Sequence, residues 1–188
     1  MLRELKHSVA MFLVLTVLTG GVYPLLVWGL AQLGLHDAAN GSFLVVDGRV
    51  RGSRWIGQEF DDPRWFWGRP SATTPPCNGA SSSGSNLGPT NPALRAAVEA
   101  RVERLLAGPH RAEPIPVDLV TTSASGLDPH VSPAAARWQV ERVAAARGLA
   151  PDAVRALVER HVESPTFGVL GEARVNVLEL NLALDRLR

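Results

Sequence analysis

Side chains able to do chemistry are few in this chain and poorly spaced for it. The histidines are His7, His36, His110, His130 and His161, and none forms an HExxH pattern or a close pair with another. A zinc site carried by one helix is therefore not encoded. His130 closes Asp128-Pro129-His130, where a loop or capping role needs nothing more and a metal site needs ligands from elsewhere. Ser83-Gly84-Ser85 is the nearest approach to a GxSxG nucleophile elbow and lacks its pattern. Ser, His and Asp all occur, as in almost any chain, so their presence neither supports a triad nor rules one out. Asp61-Asp62 stands before Pro63 and reads as a turn rather than an acid pair. A phosphate-binding P-loop is excluded, because the GxxxxGK motif is absent and the one lysine of the chain is Lys6. The single cysteine, Cys77, rules out an internal disulfide and any cysteine-based metal cluster, and reads as an inert thiol.

Most of these residues lie in two polar, turn-rich stretches. The first runs from Gly68 to Pro92, with Arg69 as its one charge, and contains Gly68, Arg69, Pro70, Ser83, Gly84, Ser85 and Asn86. A loop of this length is functional or disordered. Its asparagines and paired prolines favour fixed turns over a spacer, with Asn86 and Asn91 bonding the backbone through their side chains. The second stretch, TSASGLDPHVSP, holds Asp128, Pro129 and His130.

Regular elements must position these loops. FLVV, Asp47-Gly48 and RVRG read as a short hairpin. Trp55, Trp65 and Trp67 fall close together, and such rings pack on the core or on a partner. Asn91 and Pro92 cap and open a helix with Leu94, Val98, Val102 and Leu105 on one face. Ile115 to Thr121 reads as a strand. Ser132-Pro133 starts a second helix that Gly148 stops, and Pro151 opens a third. The tail places Val177, Leu180, Leu184 and Leu187 at helical spacing, with a possible strand through Arg174–Val177 before it. Asn176 and Asn181 interrupt this apolar tail as caps or subunit contacts, while Arg174 and Glu179 are placed for salt bridges.

The dominant stretch is Ser8 to Leu35, which carries no charged side chain over 28 positions. A bilayer core about 30 Å thick needs roughly 20 apolar residues in a helix. The apolar run continues too far for the short hydrophobic region of a cleaved signal peptide, so an uncleaved anchor is expected. Pro24 removes the donor for the Gly20 carbonyl and predicts a kink. Thr16, Gly20 and Gly21 offer a small-residue face, and Tyr23 needs a partner for its hydroxyl, so Thr16, Gly20, Gly21, Tyr23 and Pro24 form the expected docking surface for other membrane helices. Arg3 and Lys6 precede the span, whereas Asp37 is the first charge after it and Arg49 the first arginine. The positive-inside rule then puts residues 1–7 in the cytoplasm, the span at 8–35 and the body at 36–188 outside. The body is neutral, with 17 arginines and 17 acids, which argues against nucleic acid. The expected fold class is α+β: one N-terminal transmembrane helix followed by a single mixed α/β extracytoplasmic domain. Read from these residues alone, the function is partner contact. A membrane-anchored extracytoplasmic hydrolase using the loop serines or His130, and a solute-binding module, are the alternatives.

Four blocks then resemble a known family in its own order: FWGRPSAT (Phe66–Thr73), SGSNLGPTNP (Ser83–Pro92), PVDLVTTSASGLDPHVSPAAA (Pro116–Ala136) and RVNVLELN (Arg174–Asn181). Together with the single N-terminal span they resemble the C subunit of Kdp-type potassium-transporting ATPases over nearly the full length. One departure bears on the packing of the first loop: Cys77 stands where the family commonly has an aromatic before Asn78. The resemblance implies a non-catalytic accessory subunit that stabilises assembly of a channel-like potassium-translocating subunit, a P-type ATPase subunit and a very small subunit in the cell membrane. It implies a catalytic chaperone that raises the ATPase subunit's affinity for ATP. No cofactor is bound directly, and ATP and potassium are handled by the partner subunits. With the body outside, the effect on ATP is expected to be indirect.

Overall fold

Pro24 has no N–H to give the Gly20 carbonyl, and the helix around it widens. In the computed structural model, which describes residues 1–110 and 112–187, α1 (Leu2–Val17) passes through a π-helical turn (Leu18–Val22) into α2 (Tyr23–Gly34). The Tyr23 N–H donates to the Leu18 carbonyl, one residue further back than α-helical pairing. Such π-turns let a helix absorb a locally lost hydrogen bond without ending. Thr19 adds a bond from its Oγ1 to the Leu15 carbonyl at 2.7 Å. The helix starts before the apolar run, so Arg3, Glu4 and Lys6 lie on its first turns. Among the described residues, Leu2–Gly34 is the one helix long and apolar enough to cross a membrane. After it, α3 (His36–Ala39) forms one turn, and Asn40 ties it back by donating to the His36 carbonyl at 2.7 Å and to Gln32 Oε1 at 3.0 Å.

The chain divides into two units, Met1–Phe43 and Leu44 onward. The second is mixed α/β with small antiparallel sheets, as its sequence pattern predicts. Strands β1 (Phe43–Val46) and β2 (Arg49–Ser53) pair about Asp47-Gly48. Both turn residues have positive φ, 51° and 71°, the geometry of a two-residue hairpin turn. A second sheet has the order β3-β5-β4, from His130–Val131, Arg174–Asn176 and Val162–Glu163. Val131 and Val162 both stand opposite Val175, which is fully buried.

Helices α4 (Pro92–Leu106), α5 (Pro133–Trp138), α6 (Val140–Arg147), α7 (Pro151–Arg160) and α8 (Val177–Leu184) enclose the core. Their ends follow local chemistry. Asn91 Oδ1 accepts from the Ala93 N–H at 2.9 Å and Ser132 Oγ from the Ala135 N–H at 3.1 Å, each followed by proline at the first helical position. Gly148 ends α6 in the left-handed region at φ 66°. The largest fully buried side chains include Trp138, Phe66, Leu180 and Leu184.

Two expected elements change. Ile115–Thr121 is not a strand but encloses a 3₁₀ turn at Val117–Leu119. Asp118 there accepts from the Ser132 N–H at 2.7 Å and from its hydroxyl at 3.2 Å, so the segment braces the start of α5. The single helix expected from Ser132 to Gly148 is broken at Gln139, whose buried amide turns toward Trp67. Of the clustered tryptophans, Trp65 and Trp67 pack on the core, whereas Trp55 is exposed.

Candidate functional site

Small residues let two backbones touch, and the two polar loops use this to become one platform. The Ser83 N–H donates to the Ser125 carbonyl at 2.9 Å, Ser82 Oγ to the same carbonyl at 3.0 Å, and Ser71 Oγ to the Gly126 carbonyl at 2.7 Å. Thr122 Oγ1 donates to Ser85 Oγ at 3.3 Å. A Cβ at Gly84 would lie 2.8 Å from the Ala124 carbonyl oxygen, and one at Gly126 would lie 2.6 Å from that of Ser83. Gly126 also holds φ 69°, a region costly for any side chain. Gly126→Ala is therefore expected to destabilise the body by about 2 kcal/mol, read as a lower urea midpoint. Asn86 sits in the left-handed region at φ 52°, a conformation asparagine tolerates.

Arg69 crosses between the loops. It reaches Asp128 Oδ2 at 3.3 Å and the Thr122 carbonyl at 3.1 Å. Asp128 Oδ1 in turn accepts from the His130 N–H at 3.0 Å and lies 3.5 Å from His130 Nδ1. Burial pushes the Asp128 carboxyl up, but bonding by the His130 side chain and N–H, with the Arg69 charge, outweighs it and holds the group below its ordinary 3.8. Through the interval between the two values the unfolded chain binds more protons than the folded one. The carboxylate's stabilisation is whole above 3.8 and is lost as pH falls through the lower folded value. The stability gap between the wild type and Asp128→Asn, measured by denaturant titration, should be full at neutral pH and close in acid. A gap unchanged across that range would remove Asp128 from the linkage.

Beneath the platform, two amides clamp consecutive backbone units. Asn181 Oδ1 accepts from the Phe66 N–H at 2.9 Å and its Nδ2 donates to the Phe66 carbonyl at 3.0 Å. Gln139 does the same for Trp67, accepting from its N–H at 2.8 Å and donating to its carbonyl at 3.0 Å. Asn181 is 2% exposed and Gln139 0%. Phe66-Trp67 is thus paired like a strand, with side chains in place of a neighbouring backbone. Arg142 completes the group. It donates to the Pro63 carbonyl at 2.6 Å, to that of Trp65 at 3.1 Å and to Gln139 Oε1 at 2.6 Å, with its guanidinium 3.8 Å from the Trp67 ring centre. Burial, with Arg104 nearby, lowers Arg142 to about 10.

The remaining expected site residues also find places. Gly68, Arg69 and Pro70 line a cleft of about 210 Å³ with Cys77 and Arg101. Burial and the Glu59 charge push the Cys77 thiol up, as for an unreactive cysteine. The Pro129 carbonyl accepts from the Val177 N–H at 2.9 Å, tying the second loop to α8. Asn176 caps α8 by accepting from the Glu179 N–H at 3.1 Å and donates to the Arg54 carbonyl at 2.8 Å. Arg54 bridges Glu163 at 3.3 Å and Glu179 at 3.0 Å, and Arg174 joins Glu163 at 3.0 Å. Asn176 and Asn181 are both buried, so their bonds are internal rather than facing outward. In the first unit Thr16, Gly20, Tyr23 and Pro24 are exposed and Gly21 is half-exposed. Sequence reading missed Gln139, Arg142 and Arg54. The first two interrupt an otherwise alanine- and valine-rich helical stripe three residues apart, a usable signal for buried polar work.

Chemically, the arrangement binds itself. Ser83 Oγ donates to the Gly84 carbonyl at 3.1 Å, and Ser85 Oγ accepts from Thr122. His130 Nδ1 faces Asp128, and no serine–histidine pair is assembled among the described residues. Nor do those residues group three or more His, Cys, Asp or Glu side chains as a metal would require.

Comparison with known proteins decides the family. A family model described as "K+-transporting ATPase, c chain" matches residues 5–186. The chain belongs to the KdpC family. It is 59% identical to the potassium-transporting ATPase KdpC subunit of Sorangium cellulosum, over 100% of both chains. The KdpC subunit of Paraburkholderia xenovorans is 57% identical over 97% of this chain and 96% of its own, and that of Methylococcus capsulatus is 57% identical over 100% of both. As a KdpC chain it is a non-catalytic subunit of the Kdp potassium-transporting ATPase, with a single N-terminal membrane-spanning helix. The resemblance carried by the four sequence blocks is thereby borne out.

Proposed function

We propose that this chain stabilises the assembled potassium pump and raises the ATP affinity of its P-type ATPase subunit through the membrane, without touching nucleotide. The match to the KdpC family over residues 5–186 carries this reading. Residues 1–7 lie in the cytoplasm, 8–35 cross the cell membrane, and 36–188 stand outside, over the channel-like subunit. The cations Arg3 and Lys6 ahead of the span, with no arginine until Arg49 beyond it, support that orientation. The channel-like and ATPase subunits bind potassium and ATP, and the small subunit sits beside them. From the outer side, only the span reaches toward a cytoplasmic ATP site. The span's π-turn and exposed Gly20 then serve helix docking and coupling.

Deletion of this chain should abolish growth at very low potassium and leave growth at high potassium normal. In purified complexes, its loss should raise the ATP concentration needed for half-maximal hydrolysis by about 5- to 150-fold, the usual range of a coupling free energy. Normal growth of the deletion under potassium limitation would sink the proposal. A nucleotide photo-crosslink landing on Ser83–Asn86 in the intact complex would replace indirect coupling with direct contact.

A further inference from the structure

Arg54, Arg137, Arg147, Arg155 and Arg174 each meet a carboxylate. The cleft of about 210 Å³ beside the first loop departs from that pattern. Among the described residues its lining carries three guanidiniums, Arg69, Arg101 and Arg104, and one carboxylate, Glu59. Arg101 and Arg104 stand three residues apart on α4, so their side chains leave one face. Among the described residues neither meets a carboxylate: Arg101 donates to the Val120 carbonyl at 2.8 Å and Arg104 to that of Asp61 at 3.1 Å. Burial alone lowers Arg101 from its ordinary value. Arg69 uses its terminal nitrogens on Asp128 and the Thr122 carbonyl, while its Nε is buried without a partner. Glu59 does not neutralise the group. It is exposed and has no ion pair among the described residues, although its charge is felt on the cleft wall at Cys77.

An excess of positive charge in a concave, partly apolar setting has a definite chemistry. Leu105, Leu119 and Trp67 share the lining, and low-dielectric walls strengthen attraction to an opposite charge. The guanidinium fork matches the paired oxygens of a carboxylate or a phosphate. The volume suits one such group rather than a large organic ligand. Potassium is repelled by a lining of this sign. We propose that this cleft is an anion site, taking one carboxylate or phosphate group against Arg69, Arg101 and Arg104, with Glu59 weakening occupancy by like charge. The oxyanion comes either from solution or from an acidic side chain of a neighbouring subunit. The site lies wholly within the second unit and stands apart from the coupling through the span.

The test titrates the full-length chain in detergent with inorganic phosphate at constant ionic strength, followed by calorimetry. Binding should saturate with a dissociation constant of about 1 mM or tighter. Arg101→Gln with Arg104→Gln should weaken it by about tenfold or more, and Glu59→Gln should tighten it by about threefold. Arg95→Gln removes a cation of the same helix that pairs with Glu99 outside the cleft, and should leave the affinity unchanged. Glu59 is exposed, so its variant tests the charge without disturbing the core. The same titration on the complete pump separates the two sources. Binding retained there marks a free oxyanion. Binding lost, with co-purification of the double arginine variant reduced, marks a neighbouring subunit's carboxylate already in place. The proposal is overturned by an absence of saturable binding to the free chain, or by equal affinity in wild type, the double arginine variant and Glu59→Gln. Binding lost in the pump with assembly of the double variant unimpaired would overturn it as well.

Discussion

Replacing Asn181 with leucine should cost the body a large share of its stability. The side chain pairs both backbone groups of Phe66, 115 residues away in sequence, and the residue bearing them is fully buried. Leucine has similar bulk but neither donor nor acceptor. An N–H and a carbonyl would remain in the core without water, at roughly 1–3 kcal/mol each. Native domains are stable by only about 5–15 kcal/mol, so a loss of about 2–6 kcal/mol takes a large share of the total. Urea titration of the full-length chain in detergent, followed by tryptophan emission, should show a strongly lowered midpoint. Asn181→Asp is the informative companion, because it keeps an acceptor for the Phe66 N–H but sets a buried carboxylate against the Phe66 carbonyl. It should be strongly destabilised at neutral pH and recover in part as acid protonates the carboxyl, which can then donate to that carbonyl. Equal midpoints for all three chains would show that the clamp contributes nothing.

Leucines at Gly20 and Gly21 should separate this chain from its complex without removing it from the membrane. A Cβ at either position meets nothing within 4 Å in the chain itself, so the helix has room for both substitutions. Leucine is also the better helix former, by nearly 1 kcal/mol per residue. Any loss must therefore arise where another helix approaches the glycine face, since small residues permit close backbone contact and bulky ones prevent it. Co-purification with the pump should fall by about tenfold, corresponding to about 1.4 kcal/mol of helix association, while alkaline extraction should leave the chain in the membrane. Undiminished recovery in the complex would return these glycines to a purely local role in the π-turn.

These effects differ in how visible they are from the residues alone. The glycine pair, Pro24 and the apolar run act over a few turns of one helix, and their consequence follows from spacing and a missing N–H. The caps at Asn91 and Ser132 and the turn at Asp47-Gly48 are equally local, and each is found where the residue types place it. Ile115–Thr121 was misleading for a related reason. Alternating apolar residues suit a strand, but Asp118 within them binds Ser132 across the fold and draws the segment into a 3₁₀ turn. In the same way, Gln139 looks like one more helix former until its amide is committed to Trp67, and the helix breaks there.

The sequence by itself determined the membrane-spanning helix, the hairpin, the helix ends at Asn91, Ser132 and Gly148 and, through four ordered blocks, the family. Each of these rests on short-range properties: unbroken apolarity, side-chain caps, permitted φ, and residue order along the chain. The tertiary structure alone decided that Asn181 and Gln139 clamp Phe66 and Trp67, that Arg142 lies under them, and that the two polar loops close on each other through Gly84 and Gly126. A buried polar group must find a partner, but which partner depends on the packing that brings distant segments within about 3 Å of one another.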